Sequence, residues 1–136
     1  MIKIYLAGTI YTDPIDADWK NRFISVLKKN NTDQQFKIYD PNPINEVGDE
    51  VVAIDKKIIE SCDYLVAYVK NASFGTAMEI KHAFDKQNIV VFVIDPTSKN
   101  LDNIWLKYHS HSQFNSVEGC ADVVIDSSNL MIVKKI

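Results

Sequence analysis

The chain has 136 residues, a formal charge of −3, 46% hydrophobic and 24% charged residues. That suits one soluble domain, 1–136, with a full core of its own, and the acidic balance argues against a nucleic-acid polymer or an anionic membrane as partner. Cys62 and Cys120 make neither a disulfide framework nor a metal motif, no stretch reaches the length of a membrane span, and the amino end has no signal-peptide pattern, so a cytoplasmic protein with two buried thiols is expected.

Residues 2–7 alternate and are β-rich, which predicts a first strand, and Gly8 to Pro14 read as a turn-forming loop. Ala17, Trp19, Phe23, Ile24 and Leu27 recur at helical spacing and predict a helix over 16–29. Phe36 to Tyr39 reads as a short second strand, ended by Asp40-Pro41-Asn42-Pro43. A helix is predicted over 48–61, a strand over 64–69, a helix from about 75 to 86 and a strand over 89–94. Residues 101–109 read as irregular or a short helix, and 112–115 as a short fifth strand. Ser116 is placed to cap a last helix through about Ile125, while Leu130 to Val133 has no assignment from the pattern. Strands alternate with helices and two strands are near-continuous apolar runs. That pattern calls for an α/β, flavodoxin-like three-layer sandwich with a five-stranded, mainly parallel sheet in the order 2-1-3-4-5. The loops after the first three strands would then meet at one crevice. They hold Thr9 to Tyr11, Asp40 to Pro43, and Ser73 to Glu79.

Glu79 falls about one turn inside a helix that starts at the carboxyl end of a strand, the edge where open α/β sheets bind ligands. The unpaired N–H groups of such a helix start favour an anion. Taken alone, Glu79 reads first as a solvated glutamate on a surface helix. Asp55 changes that reading, because Val51, Val52, Ile58 and Ile59 lie at −4, −3, +3 and +4 from it on one helix face. A carboxylate in an apolar stripe is costly to bury without partners. It is either a snorkelling or cap-bonded residue at the stripe's edge or a group pointing into the crevice with a raised pKa. Two carboxylates beside a hydroxyl-rich anion pocket suit cleavage at a sugar anomeric carbon, as one candidate chemistry among several.

Three segments, in order and with the right gaps, carry a family resemblance. They are Ile4-Tyr5-Leu6-Ala7-Gly8-Thr9-Ile10, then Asp55 before Ser61-Cys62-Asp63-Tyr64-Leu65-Val66-Ala67, then Gly75-Thr76-Ala77-Met78-Glu79-Ile80. Over roughly residues 2–95 the chain resembles the nucleoside 2-deoxyribosyltransferase family, which includes the related 2′-deoxynucleoside 5′-monophosphate N-hydrolases. The resemblance implies an N-glycosidase or deoxyribosyltransferase acting on a deoxynucleoside or deoxynucleotide. Glu79 matches the nucleophile that attacks C1′, and Asp55 the aspartate that assists the departing base. Tyr5, Gly8, Thr9 and Ile10 match the loop that lines the pocket. Ser73 stands where the transferases carry an aspartate and the monophosphate hydrolases a phosphate-contacting serine, and Gly75 follows it. The family completes each pocket from a neighbouring subunit, which Asn103-Ile104-Trp105 resembles. That implies a homodimer or higher homo-oligomer with Asn103 reaching across. No metal or organic cofactor is implied.

Asp40 and Asn42 suit reading a base or stabilising a turn. Trp105 and Tyr108 suit an interface or a core. His109 and His111 lack a third metal ligand at the right spacing, Asp63 suits fixing the start of its strand, and Lys81-His82 read as exposed helix positions. The rival from another class is a non-catalytic nucleotide-binding or sensor module on the same fold.

Overall fold

The computed structural model describes residues 1–30, 32–41 and 48–135. Five strands form one all-parallel sheet in the order β2-β1-β3-β4-β5, the flavodoxin-like arrangement the alternation predicts. They are β1 Ile2–Gly8, β2 Phe36–Tyr39, β3 Tyr64–Tyr68, β4 Val90–Ile94 and β5 Ser112–Phe114. The helices are α1 Pro14–Ala17, α2 Trp19–Lys29, α3 Asp49–Glu60, α4 Phe74–Asp85, α5 Ile104–Tyr108 and α6 Val117–Lys135. In register, Ile4 pairs with Tyr64 and Gly8 with Tyr68 across β1 and β3, and Tyr64 pairs with Val90 across β3 and β4.

The period-two alternation of the strands divides the core in two. Ile2, Ile4, Leu6, Tyr64, Val66, Tyr68, Phe92 and Ile94 pack against Trp19, Phe23 and Leu27 of α2 and Val117, Cys120, Ala121 and Val124 of α6. Tyr5, Ala7, Leu65, Ala67, Val91 and Val93 pack on the opposite face against Ile59 of α3 and Ile80 and Ala83 of α4. At Gly8, where β1 ends, a Cβ would stand 3.3 Å from the Trp19 ring, so any side chain there would push on that packed ring. Both cysteines are buried and unbridged, and burial pushes the Cys62 thiol up to about 11.

Three predicted elements differ in extent. The helix read over 16–29 is two helices with a break at Asp18. Pro14 sits at the first position of α1, where its missing N–H is harmless, and Asp13 caps it by accepting from Ile15 N at 2.9 Å. The apolar stripe of α3 is narrower than its sequence suggests, since Val52 is exposed. The last helix, capped by Ser116 accepting from Gly119 N at 2.8 Å, does not stop at Ile125 but continues to Lys135. Asp126-Ser127-Ser128-Asn129 is a poor helix former. Packing overrides that preference: Ser128 is fully buried and bonds Ile125 O at 2.8 Å, and Ser127 meets the Tyr64 hydroxyl at 2.5 Å. Asp63 fixes the start of β3 by accepting from Lys3 N at 2.9 Å.

Candidate active site

Ser73 stands at the carboxyl end of β3 and caps α4, its Oγ accepting from Thr76 N at 3.2 Å and lying 3.1 Å from Thr76 Oγ1. Thr76, Ile80 and Ala83 turn inward from that start, which leaves Glu79 half-buried beside them. Tyr5 projects to the same face of the sheet and is fully buried. Its hydroxyl donates to Glu79 Oε2. Burial is the largest influence on Glu79 and the Asp55 carboxylate adds to it. The Tyr5 hydroxyl and the Lys20 ammonium oppose both, and the net effect raises its pKa to about 6. A carboxylate held there passes between acid and base near neutral pH.

Asp55 lies on the inward side of α3 with Val51, Ile58 and Ile59, and its Oδ1 is shielded from solvent. Its electrostatic effect on Glu79 brings the two carboxylates into one field. Gly48 opens α3 with a φ of 88°, a left-handed backbone that favours glycine.

The loops after β1 and β3 touch, because Thr9 Oγ1 donates to Asn71 O at 2.8 Å. Asp40, at the end of β2, pairs with Lys20 of α2. Ile10 is largely exposed, and Gly75 lies in the first turn of α4. Asn42 lies outside the described residues. Asn103 sits on the other side of α4 from Glu79, where it caps α5 by accepting from Leu106 N at 3.1 Å. His82 is half-buried rather than exposed, with Nε2 3.3 Å from Glu60 Oε1 on α3. His111 Nδ1 accepts from Val91 N at 2.9 Å, and Trp105 and Tyr108 are exposed. Lys20 escaped the sequence reading, and nothing local marks it. Asp16 escaped it too, since of the residues three and four away from it, Thr12, Asp13, Trp19 and Lys20, only Trp19 is apolar.

Two cavities flank this region and Glu79 lines neither. The smaller, about 240 Å³, lies at the ends of β1 and β2 among Gly8, Thr9, Trp19, Lys20 and Asp40. The larger, about 700 Å³, lies between α4 and α5 against Asn71, Ile80, Asn100, Asn103 and Trp105. Size favours the second as a ligand site. The perturbed carboxylate and its hydroxyl partner give the chemistry to the Tyr5 side of α4, and we place the candidate site there. Among the described residues no group of His, Cys, Asp and Glu is arranged to hold a metal ion, and no helix is long and apolar enough to cross a membrane.

No family model and no curated protein sequence matches the chain. Solved structures do. A CMP N-glycosidase of Clostridium botulinum, BcmB, superposes with a TM-score of 0.60 at 16% identity, over 90% of this chain and 97% of that one. The TIR domains of the activated Roq1 resistosome, which directly recognises the pathogen effector XopQ, superpose with a TM-score of 0.50 at 10% identity, over 80% of this chain and 68% of that one. At these identities the likeness is one of fold, which the first of the two shares with this chain nearly end to end.

Proposed function

We propose that the chain is an N-glycosidase that cleaves the bond between base and sugar in a 2′-deoxynucleoside or its 5′-monophosphate. The observation that carries this reading is Glu79, a half-buried carboxylate with its pKa raised to about 6 and the Tyr5 hydroxyl on one oxygen. The second carboxylate, Asp55, acts on it from α3. Ionised Glu79 attacks C1′, the new C–O bond forms as the C1′–N bond breaks, and the base leaves with the electron pair. Asp55 assists the departure of the base, which takes up a proton as the C1′–N bond breaks. Water, or a second base, then takes the sugar from Glu79. The fold shared with a CMP N-glycosidase supports a nucleotide-directed form of this chemistry.

Ser73 and Gly75 suit the phosphate, since an uncharged cap and the free N–H groups of α4 accept a negative charge that an aspartate would repel, while Thr9 stands beside them with its hydroxyl proton given to Asn71 O. The chain acts as a homodimer or higher homo-oligomer in this reading. The support is an apolar surface on α4 and α5, where Phe74 is 89% and Ile104 82% exposed beside exposed Met78, Trp105 and Tyr108. Asn103 lies at this surface, as a residue serving a neighbour's pocket must.

The test is incubation with each deoxynucleotide, its free nucleoside and CMP, with chromatography for released base. The wild type is expected to release base from a monophosphate. Glu79→Ala is expected to lose about a thousandfold or more of that turnover while still binding substrate. Binding without release by the wild type makes the chain a nucleotide-binding module instead, and near-normal turnover by Glu79→Ala rejects the mechanism. Light scattering of the wild type and Trp105→Asp tests the assembly: a dimer reduced to a monomer is expected, and a monomeric wild type overturns it.

A further inference from the structure

The loop from β3 into α4 is fastened at every residue from Tyr68 to Asn71. On one side the β1 loop holds it: Thr9 Oγ1 donates to Asn71 O at 2.8 Å, and the Tyr11 hydroxyl accepts from Asn71 N at 3.3 Å while donating to Tyr68 O at 3.2 Å. On the other side Asn100 Nδ2 donates to Val69 O at 2.7 Å and Lys70 O at 3.1 Å. Asn100 N in turn donates to Asp95 Oδ2 at 2.9 Å, and Asp95 is fully buried. Beneath the loop lies Asp16, only 5% exposed. Its Oδ1 accepts from the Tyr68 hydroxyl at 2.6 Å and its Oδ2 from Lys70 Nζ at 2.8 Å.

A buried carboxylate paired with a partly exposed lysine is a poor device for stability, because desolvating the carboxylate offsets much of an attraction that solvent already screens. It does fix geometry, since both oxygens of Asp16 are committed in different directions to two side chains of one short segment. Two residues beyond Asn71 the chain reaches Ser73, then the first turn of α4, then Glu79. Whatever sets Lys70 and Tyr68 therefore sets where the cap hydroxyl and the free N–H groups of α4 point. We propose that Asp16 is a positioning residue: through Tyr68 and Lys70 it fixes the loop that aims the amino end of α4 at the substrate's 5′-phosphate. The inference deepens the reading of the same site given above and rests on it for the identity of the phosphate.

Asp16→Asn keeps the acceptor for Tyr68 and removes the charge that holds Lys70, and Lys70→Met removes the other partner. Three readouts are needed: kcat/KM for a deoxynucleoside monophosphate and its free nucleoside, amide hydrogen exchange over 71–77, and the thermal midpoint. Each variant is expected to lose about tenfold in kcat/KM on the monophosphate, since small misplacements of binding groups are felt strongly in turnover. The free nucleoside should change by less than about twofold. Exchange over 71–77 is expected to quicken while that of α2 stays unchanged, and the double variant is expected to be no worse than either single one, because the two residues act as one unit. Equal losses on both substrates, or a lower midpoint with unchanged exchange over 71–77, overturns the proposal and leaves a structural pair. If the wild type turns over neither substrate, the glycosidase reading has failed. The exchange arm then decides alone: quickened exchange confined to 71–77 keeps Asp16 as the residue that positions this loop, and unchanged exchange removes it.

Discussion

The face of the sheet under α2 and α6 is sealed by Leu6, Trp19, Phe23, Tyr64 and Tyr68, none more than 1% exposed. Trp19 stacks on Tyr68 at 5.2 Å and Tyr11 meets Tyr68 edge-on at 5.1 Å. The face under α3 and α4 is built from the same strands but surrounds a half-buried carboxylate, and its outer surface leaves Phe74, Met78, Ile104, Trp105 and Tyr108 exposed. One face concentrates apolar burial. The other carries desolvated charge, which opposes stability and supports chemistry. Away from Asp16, whose carboxylate meets Tyr68 at the edge of the first face, changes on the two faces should therefore separate: stability without chemistry on the first, chemistry with little loss of stability on the second.

The largest expected loss of stability lies on the sealed face. Phe23→Ala removes a fully buried ring and is expected to destabilise the fold by about 3–5 kcal/mol in urea unfolding. Base release per folded molecule should stay near wild type. A loss of turnover larger than the unfolded fraction explains would break the division between the faces.

On the other face Ser73 separates capping from charge. Ser73→Ala removes the N-cap of α4 and is expected to lower stability by about 0.5–2 kcal/mol. It should also weaken kcat/KM for the monophosphate by roughly ten- to a hundredfold, the worth of one charge-assisted hydrogen bond. Ser73→Asp keeps a good cap and sets a negative charge against the phosphate. It is expected to exclude the monophosphate while holding the wild-type midpoint and sparing the free nucleoside. If neither variant changes the ratio of the two substrates, Ser73 does not meet a phosphate.

The smallest effect is on pH-dependent stability. The folded pKa of Glu79, about 6, lies above its ordinary value of 4.5. The folded state therefore binds the proton more tightly, and that contribution is full below pH 4.5 and lost as the pH rises through 6. Glu79→Gln is expected to be more stable than wild type at pH 8 by up to about 2 kcal/mol, at roughly 1.4 kcal/mol per pKa unit. The two should converge below pH 4.5. A difference independent of pH contradicts the raised pKa.

Much of this was legible in the chain. Near-continuous apolar runs such as Tyr64 to Val69 mark strands buried on both faces, and their alternation with helices selects the parallel order that the sheet adopts. The second half of α6 was not legible, because residues 126–129 disfavour a helix and tertiary contacts, among them the burial of Ser128 and the Tyr64–Ser127 contact, hold them in one. Asp55 and Glu79 stood out by helix spacing and by resemblance, and the structure places them in one electrostatic neighbourhood. The Asp16–Lys70 pair joins residues 54 apart, and no local pattern announces such a contact. Asn103 was read by resemblance as a residue for a neighbouring subunit. Within the chain its side chain caps the five-residue α5, a contact the spacing had not singled out.

The most direct test of the central claim is the pH dependence of kcat/KM for base release in the wild type and in Tyr5→Phe. The Tyr5 hydroxyl lowers the pKa of Glu79 against burial and the Asp55 charge. With Glu79 as an ionised nucleophile, wild-type activity is expected to fall on the acid side with a midpoint near 6. Removing the hydroxyl should move that midpoint upward. An acid limb at the ordinary glutamate value of 4.5, or one that Tyr5→Phe leaves in place, would show that the reacting carboxylate is not Glu79.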